Sequence, residues 1–169
     1  MQSGNTTEIL GIANAFIRGA VYTFQIELNT KLVRHNLCKK QSPRPSKPIC
    51  IDIGVTGKIR GKVIYSMDES VAYNVAKAML SDKNGNTNKL PAEIKKNMNS
   101  AVAEIANIIT GQASIELTKL NEHIEITPPT IFTGSREIDF LKMETICLSL
   151  ISEIGSLEIN IAVSAGRTE

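Results

Sequence analysis

Residues 100–113, SAVAEIANIITGQA, hold the question on which the reading of this chain turns. The segment has the three- and four-residue apolar spacing of a helix, yet it sets a carboxylate, Glu104, and an amide, Asn107, one turn apart among Ile and Ala. At about 100° per residue, Ile94, Met98, Ala101, Val102, Ile105 and Ile109 fall within about 50° either side of one direction, the face expected against a core. Ser100, Glu104, Asn107 and Gly111 fall within about 60° of one another on a different face. Polar residues on an outer face ordinarily just meet water. Gly111 leans towards a partner instead, because glycine inside a helix costs about 1 kcal/mol relative to alanine, and the close approach of another surface would explain it.

Outward from this segment, Pro91 is expected to open the helix, since its missing N–H is harmless in a first turn, and the helix should run to about Leu120. Before it, SDKNGNTNK reads as a polar loop and ESVAYNVAKAML as a short helix capped by Asp68. ICIDIGVTG and RGKVIYSM are two apolar alternations that meet at Gly57-Lys58, a hairpin. Lys58 and Lys62 beside glycines do not make a phosphate-binding loop, because no GxxxxGK[ST] pattern is present and a strand follows. After the long helix, HIEITPPTIFTG reads as a strand broken by Pro128-Pro129. METICLSLIS and LEINIAVS read as a half-buried antiparallel hairpin around EIG, with Leu157, Ile159, Ile161 and Val163 on one face. At the other end, TEILGIANAFIRGAVYTF has helical spacing from Thr7 to Phe24, and QIELNTKLVRH suggests a strand through Ile26, Leu28 and Leu32. Residues 38–48, CKKQSPRPSKP, combine prolines with basic residues and are expected to form an exposed loop; PSKP as a PxxP ligand is the alternative.

A chain of 169 residues with 42% apolar and 21% charged residues and a net charge of +2 is expected to fold as one soluble domain, residues 1–169. That charge is too small to point to nucleic acid. No stretch reads as a membrane span and the N-terminus lacks a basic region followed by an apolar run, so a cytoplasmic protein is expected. Cys38, Cys50 and Cys147 are odd in number, widely spaced and without a CxxC pair, which signals neither a disulfide framework nor a zinc site; buried, reduced thiols are expected. With only His35 and His123, far apart in sequence, and no GxSxG elbow, the residues do not suggest a self-contained hydrolase or a resident metal.

SAVAEIANIITGQA resembles the signature helix of the CheC, CheX and FliY family of chemotaxis phosphatases, whose pattern is an acid or serine, three residues, Glu, two residues, Asn, and a proline farther on. Ser100, Glu104 and Asn107 match in register, and Pro128-Pro129 follow Asn107 at about the distance the family shows. NAFIRGAV and GVTGKIRGKVIYSMDESVAYNVAKAML are similar to further parts of CheX-like members, and residues 25–48 diverge most. The first helix echoes the signature in GIANAFIRG, but Gly11 stands where the glutamate would be, beside Asn14. The resemblance therefore implies one site per chain, as in the CheX-like branch. It implies a CheC-like α+β fold, a mainly antiparallel sheet with packed helices. It further implies a phosphatase for the aspartyl phosphate of a CheY-like response regulator. Glu104 would pair with the regulator's lysine and Asn107 would hold the attacking water. Gly111 would admit the regulator's surface, with Ser100 secondary. No cofactor of its own is implied, since Mg belongs to the regulator, and homodimers form through a sheet edge. A non-catalytic scaffold related to flagellar switch proteins is the competing expectation.

Overall fold

Apolar residues at every second position make strands that bury one face, and here the strands join into one sheet in which every pairing is antiparallel. The computed structural model describes residues 3–41, 44–133 and 144–165. In chain order these form α1 (Ser3–Leu28), β1 (Val33–Gln41), β2 (Ile49–Gly57), β3 (Ile59–Met67), α2 (Glu69–Met79), α3 (Pro91–Lys119), β4 (Ile124–Ile126), β5 (Thr130–Thr133), β6 (Glu144–Ser152) and β7 (Gly155–Ala165). The strand order is β1-β6-β7-β3-β2-β4, and β5 pairs with the same edge of β2 farther along. The fold is α+β, as expected.

The β2–β3 hairpin closes at the expected Gly57-Lys58, with register from Ile49 opposite Met67 to Val55 opposite Gly61. Gly57 adopts φ 109°, and a Cβ there would lie 2.7 Å from the His123 carbonyl oxygen, so the turn requires glycine. The prolines interrupt the third edge segment as read: β4 and β5 stop on either side of residues 127–129, and Thr127 bridges to Gly54 through its amide and hydroxyl. One core cluster runs through all three helices and the inner face of the sheet, with Phe16, Phe24, Ile51, Ile53, Tyr65, Val102, Ile105, Ile109, Leu148 and Ile159 among its members.

Several expectations are corrected. Gln25–Leu28 is not strand but the last turn of α1; Phe24 and Leu28 keep helical spacing into the core, and the strand begins only at Val33. Residues 38–41 are not loop, because they pair with β6, from Cys38 opposite Cys147 to Gln41 opposite Glu144. Basic side chains sit comfortably there because β1 is the edge strand. Ser46, in the remainder of that segment, is anchored to Glu158, whose carboxylate accepts the Ser46 hydroxyl and, at 3.3 Å, its amide. Asp68 stands at the start of α2, yet its side chain makes no cap and instead accepts from Lys47 Nζ at 2.7 Å. Thr7–Leu28, with mean hydropathy 1.3, is long and apolar enough to cross a membrane by composition, contrary to expectation. Its Ile12, Phe16, Ala20 and Phe24 are buried in the core. Of the thiols only Cys50 is buried, whereas Cys38 and Cys147 are half-buried.

Candidate active site

The site helix α3 is fixed before its outer face is considered. Pro91 starts it, and the Glu93 carboxylate turns back to accept the Leu90 amide at 2.9 Å, which, with Lys89 nearby, holds that carboxyl below its usual range. The inner stripe is as read from the sequence: Ile94, Met98, Ala101, Val102, Ile105 and Ile109 are all buried, with Ala106, Ala113 and Leu117 beside them. Two further contacts set its position. Tyr65 of β3, fully buried, places its hydroxyl 2.7 Å from Thr110 Oγ1. Thr110 gives its own proton to the Ala106 carbonyl at 2.7 Å, so Tyr65 is the donor in that pair. Burial pushes the Tyr65 hydroxyl well above its ordinary pKa and keeps the donor in place.

The second contact is the crossing of α1. A Cβ on Gly19 would lie 2.8 Å from the Ile109 carbonyl oxygen and 3.0 Å from the Ala113 nitrogen, so the backbones meet where only glycine fits. Arg18, next along α1, pairs with Glu116 of α3 at 3.2 Å. The Arg18 end is open to water, which makes this pair a minor contribution. On the opposite flank Ser114, about 20° from Asn107 around the helix axis, reaches the Ile124 carbonyl of β4 at 3.5 Å. Neither Tyr65–Thr110 nor the Gly19 crossing is visible as a motif. Tyr65 lies on the inward alternation of β3, but Thr110 falls about 60° from Asn107 around the helix and about 130° from the centre of the apolar stripe, so its burial is a finding of the structure.

Four residues remain on the free face. Ser100 and Glu104 are exposed, and Asn107 and Gly111 are half-buried. The side chains of Ser100, Glu104 and Asn107 make no hydrogen bond or ion pair with any other described residue. A Cβ on Gly111 would meet no atom within 4 Å, so nothing within the described chain demands glycine there. The echo in α1 lacks this arrangement: Asn14 is exposed, but a Cβ on Gly11 would already lie 3.2 Å from Leu120 Cδ1, leaving a longer acidic side chain little room. Among the described residues, no group of three or more His, Cys, Asp and Glu side chains comes together. The free face thus offers an acceptor carboxylate and an amide that both donates and accepts, side by side and unengaged.

A family model described as chemotaxis phosphatase CheX matches residues 49–149, more than half of the chain and the whole of α3. The chain belongs to the CheX chemotaxis phosphatase family. It is 34% identical over 82 residues to the CheY-P phosphatase CheX of Thermotoga maritima, a match covering 48% of this chain and 49% of that protein. The match thus spans about half the length of that relative. Solved CheX structures share the fold. The CheX chemotaxis protein of Desulfovibrio desulfuricans superposes with a TM-score of 0.75 at 18% identity, covering 90% of this chain and 99% of that one. CheX in the CheX–CheY–BeF3–Mg2+ complex of Borrelia burgdorferi superposes with a TM-score of 0.71 at 22% identity, covering 89% and 96%. In this CheX-family chain the matched segment includes Ser100, Glu104, Asn107 and Gly111, whereas Gly11 and Asn14 lie outside it.

Proposed function

We propose that this chain accelerates hydrolysis of the aspartyl phosphate of a CheY-like response regulator and so ends a chemotaxis or related two-component signal. The observation that carries the reading is the unengaged Glu104–Asn107 face on a helix that is otherwise packed and pinned. Neither residue is a phosphate nucleophile, and the pair makes chemical sense when the reacting phosphoryl group arrives on another protein. Phosphoryl transfer needs an in-line water and neutralised charge more than covalent help. The Asn107 amide oxygen can accept a hydrogen bond from that water while its NH2 group donates one to a phosphoryl oxygen, and Glu104 can engage the regulator's lysine. Gly111 leaves space for the regulator's surface, and Ser100 lies at the rim. The divalent cation would be the regulator's Mg; this chain would bring no cofactor of its own.

We place the whole of residues 1–169 in one domain, in the cytoplasm where response regulators act, with no nucleic-acid or membrane partner. A homodimer would form through a sheet edge: among the described residues, β1 has a strand on one side only, as have β4 and β5. The test is phosphate release from a panel of phosphorylated regulators, with this chain present in substoichiometric amounts. Acceleration with multiple turnovers is expected for the cognate regulator. Tight binding to a phosphorylated-like regulator with no acceleration would replace the enzyme by a scaffold.

A further inference from the structure

Two cysteines separated by more than half of the chain stand directly opposite each other in the sheet: Cys38 of β1 and Cys147 of β6. Leu37 opposite Leu148 and Lys39 opposite Ile146 continue the register without a shift, since the bulge in this pair lies earlier, between Arg34 and Asn36. Opposed residues in an antiparallel pair have Cα atoms roughly 4.5 or 5.5 Å apart, and both values lie inside the range of roughly 4.4–6.8 Å that a disulfide tolerates. Their side chains leave the same face of the sheet, opposite to the one on which Ile146 and Leu148 are buried in the core. Both thiols are free and half-buried, so neither is sealed in the core as Cys50 is, and Cys147 Sγ–H donates to the Thr145 carbonyl at 3.7 Å.

We propose that Cys38 and Cys147 form a reversible intramolecular disulfide by exchange with a low-molecular-weight disulfide of the glutathione class. The Cys38 thiolate, its proton lost to solvent, attacks one sulfur of the small disulfide, forming a mixed disulfide and releasing one small thiolate. Cys147, also deprotonated by solvent, then attacks the Cys38 sulfur and displaces the second small thiolate. Two protein thiols are oxidised, one small disulfide is reduced to two thiols, and the two protons end on the released sulfurs. The order follows from the surroundings: burial first, and then the adjacent Cys38 thiol, push Cys147 up to about 11, with Lys40 opposing, which disfavours its thiolate in the first step. Once Cys38 is held in the mixed disulfide its contribution is gone, and Cys147 gives up its proton more readily for the second. The bond would fasten the edge strand β1 to β6, whereas α3 packs on β2, β4 and β5 at the other side of the sheet. It therefore changes the stability of the edge and leaves the Glu104–Asn107 face as it is.

The experiment titrates the reduced full-length chain with oxidised glutathione and follows free thiols, intact mass and linked peptides. The expected product has one of its three thiols left, has lost two hydrogens, retains no glutathione and yields a Cys38–Cys147 peptide. It should melt roughly 5–10 °C higher than the reduced chain and revert with dithiothreitol. Cys50→Ser should form the same link, and Cys38→Ser should not. Three persistent thiols, a glutathione adduct that stays on Cys38, a link through Cys50 or a bond between chains would each overturn the proposal.

Discussion

A Cβ on Gly19 of α1 would stand 2.8 Å from the carbonyl oxygen of Ile109 in α3, two residues beyond Asn107. The helix carrying the proposed site is thus seated by a contact between backbones, and a methyl group must push α1 and α3 apart. Gly19→Ala should destabilise the chain by about 1–3 kcal/mol, the usual cost of overpacking a tight core. Urea unfolding should show a lower midpoint with little change in slope. A variant as stable as the wild type would mean that the crossing yields without cost.

Gly111 makes the opposite case on the same helix. With no atom within 4 Å of its would-be Cβ, Gly111→Ala should gain up to about 1 kcal/mol in stability from helix propensity. If its role is to admit the regulator, the same variant should lose affinity for a phosphorylated-like regulator. A thermal melt and a binding titration on one sample separate the two effects. A gain in stability with unchanged binding would remove Gly111 from the interface.

Tyr65→Phe tests how the site helix is held to the sheet. The change removes the donor to Thr110, which keeps its own bond to Ala106, so only one neutral hydrogen bond is lost. A cost of about 1 kcal/mol is expected from chemical denaturation. Turnover should stay close to wild type, because Thr110 faces the sheet and not the free face. A large loss of activity without loss of stability would place Tyr65 in the catalytic machinery.

The sequence was most legible where one chemical requirement repeats. The buried stripe of α3 from Ile94 to Ile109 follows from helical spacing, and the β2–β3 hairpin follows from alternation ending at Gly57. The reading failed where local pattern and tertiary context compete. Gln25–Leu28 alternates like a strand, but α1 continues because Leu28 is still within reach of the core. Lys39 and Lys40 read as loop, but an edge strand tolerates basic side chains that a central strand would reject. The sequence alone could flag Glu104 and Asn107 as polar residues on an outer helix face beside Gly111, but only the family pattern gave them a chemical role. Physically they are polar residues on an exposed helix face, and what distinguishes them, the lack of any described internal partner, is a property of three dimensions.

Glu104→Lys should act mainly on docking. If Glu104 accepts from the regulator's lysine as proposed, the change sets a like charge against it, and like charges brought together in a partly desolvated interface are strongly unfavourable. Titration against a regulator locked in its phosphorylated-like state should show a clear loss of affinity that grows at low ionic strength. Folding should be unaffected, since Glu104 is exposed and engages no other described residue. Unchanged binding together with unchanged turnover would return Glu104 to an ordinary solvated surface.

Asn107→Ala should separate chemistry from docking. If the amide holds the attacking water in line, its loss removes an interaction used in the transition state, and turnover should fall by roughly two orders of magnitude. Stability should change by no more than about 0.5 kcal/mol, because the side chain is only half-buried and makes no hydrogen bond to another described residue. Affinity for the phosphorylated-like regulator should survive better than in the Glu104→Lys variant, since the positive charge is absent. The measurement is phosphate release with the phosphatase saturating, so that binding does not limit the rate, with a thermal melt as the control for folding. A well-folded Asn107→Ala chain that dephosphorylates its cognate regulator at the wild-type rate would falsify the positioning role and leave Glu104 as an anchor for a protein that binds without catalysis.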